Sequence, residues 1–153
     1  MGLICRLPTD QDIWQLGEGL RAADREELAA VCDLSAHEAV VASVRASDVV
    51  FLRSHVDERG RVVCIRGCSP VGAGRAAPWL LGTDLLDGYW RVLHRQARAE
   101  LALMLAAYPL LSNVVDVRQT RVIAWLRRLG FVFRDEAAWK PGFGLVRFEM
   151  GRV

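Results

Sequence analysis

No run of this chain approaches the roughly 20 consecutive apolar residues that a membrane-spanning helix needs. Its first residues include Arg6, Asp10 and Asp12, where a secretory leader needs an apolar centre. No membrane partner and no export by a signal peptide are therefore expected. Lysine is almost missing: Lys140 is the one lysine among 20 basic residues. A net charge of +2 gives no global pull toward nucleic acid, so no specific nucleic-acid partner is expected. The arginine preference reads as compositional bias, beside abundant alanine, glycine and valine. The four cysteines (Cys5, Cys32, Cys64 and Cys68) form no C-x-x-C pair, and His37, His55 and His94 are scattered. That excludes the common zinc patterns and leaves the thiols as small hydrophobes of a reducing compartment, with no metal site expected.

What is present is a globular balance. With 52% hydrophobic and 25% charged residues over 153 positions, the chain can bury one continuous core and is short for two. One domain over residues 1–153 is expected. Residues 3–7 alternate weakly. Thr9 or Asp10 then caps a helix through Leu20, with Ile13, Leu16 and Leu20 on one face. A second helix carries Leu28, Val31 and Cys32 behind a polar first turn of Asp24, Arg25, Glu26 and Glu27. Ser35 opens a third in the S-x-x-E pattern with Glu38.

The period then changes. Residues 49–56 and 61–66 are rich in β-formers and flank Asp57-Glu58-Arg59-Gly60, which predicts a hairpin. Residues 69–75 read as a second turn and residues 79–83 as the next strand. From Tyr89 to Tyr108 the helical period returns, with Trp90, Leu93, Ala97, Leu101, Met104 and Tyr108 at spacings of three and four. After Pro109 come a strand over 110–117, a helix over 119–129 closed by Gly130, a strand over 131–134 and a last strand over 142–150. The expected class is α/β (α+β), with a mixed, mostly antiparallel central sheet flanked by helices.

This order resembles the GCN5-related N-acetyltransferase (GNAT) fold, the acyl-CoA N-acyltransferases. Its most specific part is residues 111–131, where a strand leads into a helix ending Leu129-Gly130-Phe131. The whole chain also resembles a family of short-tailed-phage proteins described as internal virion protein A or phage acetyltransferase-like. That likeness rests on Arg21-Ala-Ala-Asp24-Arg-Glu-Glu-Leu28, Pro78-Trp-Leu-Leu-Gly-Thr83 and residues 108–131.

The GNAT resemblance implies three chemical marks. The first is a phosphate loop of the type Arg/Gln-x-x-Gly-x-Gly/Ala opening the long helix, where bare backbone N–H groups hold a pyrophosphate. The turn here, residues 83–89, has one glycine and two carboxylates, Asp84 and Asp87. Ser69-Pro-Val-Gly72-Ala-Gly74 has the glycine spacing but precedes a strand, and reads as a hairpin turn. The second mark is a tyrosine acid four residues before the closing glycine; that position is Leu126. The third is a helix-opening asparagine, replaced here by Gln119. His55 is the one candidate general base.

The resemblance therefore implies a catalytically degenerate, virion-associated or assembly protein of GNAT fold, located in a phage virion or host cytoplasm. Other virion proteins would be its partners, no cofactor is expected, and a homo-oligomer is left open. The alternative is an acetyl-CoA-dependent N-acetyltransferase acting on a host protein or small amine. In that case Leu80, Leu81, Thr83, Asn113, Arg118 and Gln119 would contact acetyl-CoA. A third reading takes Arg118, Arg121, Arg127, Arg128 and Arg134 as a binding surface; arginines on the outer face of an amphipathic helix are most often just its solvated side.

Overall fold

Local chemistry places the helices of the computed structural model, which describes residues 2–134 and 144–152. Helix α1 (Asp10–Gly19) opens on a capping box: the Thr9 hydroxyl accepts the Asp12 N–H, and the Asp12 carboxylate accepts the Thr9 N–H. Helix α2 (Ala22–Val31) follows after two residues, and α3 (Ala36–Ala46) opens on the expected Ser35 and Glu38 box. Helix α4 spans Trp90–Ala107 and α5 spans Thr120–Leu129. Gly130 stops α5 at φ 106°, and the Phe131 N–H returns to the Leu126 carbonyl, the closure that a left-handed residue permits.

Among the described residues seven strands complete the architecture: β1 (Ile4–Arg6), β2 (Arg53–Val56), β3 (Val62–Gly72), β4 (Arg75–Gly82), β5 (Leu110–Asp116), β6 (Val132–Arg134) and β7 (Leu145–Gly151). Their hydrogen-bonded order is β1-β2-β3-β4-β5-β7-β6. The β4–β5 pairing is parallel, while β1–β2, β2–β3, β5–β7 and β6–β7 run antiparallel. The expected mixed sheet is present.

Two segments differ from the sequence reading. Residues 49–52 turn instead of extending, because Asp48 captures the Val50 N–H on its side chain and the Phe51 N–H on its carbonyl. The expected turn over 69–75 shrinks to Ala73 and Gly74, with β3 running through Gly72 and β4 starting at Arg75. Gly74 takes the positive φ that so tight a connection needs. The start of the last expected strand, residues 142 and 143, lies outside the described residues.

The chain divides into two compact units. One comprises Met1–Ser69 with Trp79–Trp90, the other Pro70–Pro78 with Arg91–Val153. In the first, Leu16, Leu20, Val40, Leu52, Val62, Ile65 and Leu81 form a shared core. Trp79 locks beside it, donating its indole N–H to the Ser47 hydroxyl at 2.8 Å. Its ring lies so near Gly67 that an added Cβ there would sit 2.8 Å from two ring carbons. In the second, β5 and β7 pair over seven residues each, and Phe148 meets Phe131 edge-on at 5.0 Å. Arg152 closes α4 by donating to the Leu105 and Ala106 carbonyls, a cation at the negative helix end.

Candidate functional site

Strand β4 carries the feature with chemical potential, and each unit treats its own part of that strand differently. In the second unit, β4 pairs with β5 through Arg75↔Leu110 and Ala76↔Leu111, and the ladder goes no further. The next link is a side chain: Asn113 donates its amide N–H to the Pro78 carbonyl at 2.8 Å. Its Oδ1 accepts the Val114 N–H, also at 2.8 Å. Pro78 itself has no N–H to offer.

In the first unit, residues 79–82 continue the strand. The Thr83 N–H donates to the Val63 carbonyl of β3, so Gly82 turns its own polar groups to the opposite, outer edge. Both are taken by the turn between α1 and α2. The Arg21 N–H donates to the Gly82 carbonyl at 2.9 Å, and the Gly82 N–H donates to the Asp24 carboxylate at 2.9 Å. Asp24 is 2% exposed and held in a two-point fork by Arg21, at 2.8 and 3.0 Å. The guanidinium in turn lies 5.9 Å from the centre of the Trp90 ring. Alternation along an extended strand turns the backbone of Leu80 to the same outer edge as Gly82. Leu80 thus lies between a position closed to donation, Pro78, and one already engaged.

After Gly82 the chain makes a 3-10 helix, Asp84–Gly88, before α4. The Thr83 hydroxyl accepts the Leu85 N–H and donates to the Val62 carbonyl. The Leu86 N–H returns to Thr83 and the Tyr89 N–H to Leu86. Several of the turn's donors are thus spent within it. Leu86 is fully buried against Gly82, where a Cβ would meet its Cδ2 at 2.6 Å. Asp87 accepts the Trp90 indole N–H at 3.4 Å.

No family model matches the chain, and no curated protein does. Solved structures do. A GNAT-superfamily phosphinothricin acetyltransferase from Sinorhizobium meliloti, in complex with AcCoA, superposes with a TM-score of 0.65 at 13% identity, over 99% of this chain and 89% of its own. The PaiA N-acetyltransferase of Thermoplasma acidophilum, in complex with coenzyme A, gives 0.67 at 12% identity, over 99% and 100%. The ribosomal-protein-alanine N-acetyltransferase of Brucella melitensis gives 0.65 at 18% identity, over 98% and 100%. The fold is that of the GNAT acetyltransferases.

Within this GNAT fold the sequence candidates fall into two groups. Leu80, Leu81 and Thr83 belong to the first unit. Leu80 is half-buried on the outer edge, Leu81 is part of the core, and Thr83 is the cap of the 3-10 helix. Asn113, Arg118 and Gln119 belong to the second. Asn113 bridges β5 to Pro78. Arg118 is folded back on Asp116 with contacts down to 2.6 Å, and that guanidinium holds the Asp116 carboxyl below the usual carboxylate range. Gln119 stands at the N-cap of α5 without a capping side-chain bond. Leu126, at the tyrosine-acid position, is a buried apolar residue as expected.

His55 is fully enclosed on β2. Its Nε2 accepts the Arg66 Nε–H at 3.1 Å, which leaves the proton on Nδ1, an atom with no partner among the described residues. Burial first, and Arg66 second, push its pKa down to about 4. A neutral, enclosed imidazole is a core group with no access for a substrate amine. Cys64 and Cys68 are buried too, and burial raises each thiol to about 12. Among the described residues no cluster of His, Cys, Asp or Glu could hold a metal ion, and no helix is long and apolar enough to cross a membrane. Sequence reasoning missed Arg21 and Asp24, whose R-x-x-D spacing marked only the start of a helix.

Proposed function

We propose that this protein binds an acyl-CoA along the outer edge of β4 and passes the acyl group to an amine, on a protein or a small molecule. The observation that carries this is the end of the β4–β5 ladder at Ala76↔Leu111; strand alternation turns the backbone of Leu80 to the outer edge, where it would meet an amide-bearing arm. The acetyltransferase likenesses support the same reading. No likeness supports the expected virion-associated role. Acetyl-CoA, when bound, supplies the thioester: a C–N bond forms to the amine, the C–S bond breaks, and the thiol leaves with the proton that the amine releases. Leu80 would hold and orient the arm through its N–H and C=O. Leu126 can carry no proton, so water serves as the carrier. The residues fit the arm better than the pyrophosphate, since Asp84 and Asp87 stand where bare backbone would be needed. Isothermal titration with acetyl-CoA and CoA tests the reading directly. Saturable binding at micromolar to millimolar concentration, with thiol release when amines are added, is the expected result. A flat titration with both sinks it.

A further inference from the structure

We infer that the turn between α1 and α2 is an end-stop on the ligand edge of β4: Arg21 and Asp24 close that edge at Gly82, so it takes one amide group of an extended ligand, at Leu80. The inference rests on the acyl-CoA reading for the identity of the ligand and on the geometry of the first unit for the stop itself.

The turn imitates a neighbouring strand. A paired strand offers Gly82 one acceptor and one donor; the turn offers the Asp24 carboxylate to its N–H and the Arg21 N–H to its carbonyl. An isolated antiparallel bridge, Leu20↔Thr83, continues the imitation by one residue. The stop is braced from behind. The Arg21 guanidinium satisfies both Asp24 oxygens, and the Asp24 N–H donates to the Arg21 carbonyl at 3.1 Å. A ligand seeking Gly82 would have to displace a buried, charge-assisted bond with its own weaker neutral one.

Outward groups two residues apart on a strand are about 7 Å apart. An arm that pairs at Leu80 and runs on along the strand therefore meets the stop within one strand repeat and must leave the strand there. Arg21 and Asp24 are thus positioning residues that set how much of the arm the protein grips. The ligand class that follows is a thioester whose recognition needs one amide next to the acyl-bearing end, so pantetheine and a single-amide thioester such as S-acetyl-N-acetylcysteamine should be held by the same backbone pair.

Amide hydrogen exchange and chemical-shift mapping by NMR on the whole protein provide the test. In the free protein the Gly82 amide should exchange at least ~10-fold more slowly than that of Leu80. Saturating CoA, pantetheine or S-acetyl-N-acetylcysteamine should each shift the Leu80 amide and leave Gly82 in place. Asp24→Asn, which keeps an acceptor and the shape, should weaken Gly82 protection without unfolding the chain. Equal exchange at the two amides in the free protein would overturn the end-stop. So would a ligand that shifts Gly82 as strongly as Leu80. A flat calorimetric titration with CoA, with the exchange contrast intact and pantetheine still shifting Leu80, would defeat the acyl-CoA reading and uphold the stop.

Discussion

The Asn113 side chain of β5 holds the Pro78 carbonyl of β4 at 2.8 Å, taking over where the parallel backbone ladder ends two residues earlier. A side chain can bridge strands that have begun to part, because its amide extends beyond the backbone it grows from. The bond can be disrupted chemically. Asn113→Asp replaces a donor with a carboxylate facing a carbonyl oxygen. That change should destabilise the protein by about 1–3 kcal/mol, measured by urea unfolding at neutral pH.

Asp24 connects the start of α2 to the end of β4, and two groups depend on it. Asp24→Ala strips the Arg21 guanidinium of its fork and leaves the buried Gly82 N–H without an acceptor. A loss of about 3 kcal/mol is expected, with Asp24→Asn losing clearly less. The order of the two unfolding midpoints checks the assignment; equal midpoints would show that the acceptor asparagine retains for Gly82 contributes nothing.

Gly67 exists to let Trp79 lie flat. A methyl group there would meet two carbons of the indole at 2.8 Å and the Ser47 hydroxyl oxygen at 2.7 Å. The ring cannot slide without giving up its bond to Ser47. Gly67→Ala should therefore lower stability by about 1–3 kcal/mol and move the tryptophan emission to longer wavelength. Unchanged emission with unchanged stability would mean that the ring has room to shift.

His55 makes stability depend on pH with a definite sign. Its folded pKa, near 4, lies below its ordinary value of 6.5. Between those values the unfolded chain binds a proton that the folded chain refuses, so stability falls as pH drops from 6.5 toward 4 and levels off below. The contribution is on the order of 3 kcal/mol. His55→Gln keeps an acceptor for Arg66 and should flatten that part of the profile, read as urea midpoints across the window.

Asp116 acts in a lower window. Arg118 first, through its side-chain hydrogen bonds, holds the carboxyl below its ordinary value against the opposing effect of burial. Its stabilisation is complete above the unfolded carboxyl's range, near 4, and disappears as pH falls through the folded value. Asp116→Asn should be less stable than the natural protein at pH 7. The two should converge in strong acid, which a pair of thermal melts at each pH will show.

The sequence by itself determined what short-range chemistry can specify. The Thr9 and Ser35 caps, the Gly130 stop and the Asp57–Gly60 turn each join residues within a few positions, and all appear in the structure. Periodicity then supplied the long helix and the order of strands, enough to identify the GNAT arrangement. The tertiary structure alone decided the rest. Asp24 meets Gly82 across 58 positions and Asn113 meets Pro78 across 35, distances over which no local pattern constrains a partner. His55, a candidate base by residue type, became a buried neutral group because its strand is enclosed. Asp24, a helix-start residue by pattern, became the acceptor for the Gly82 N–H because the first turn of α2 lies against the end of β4.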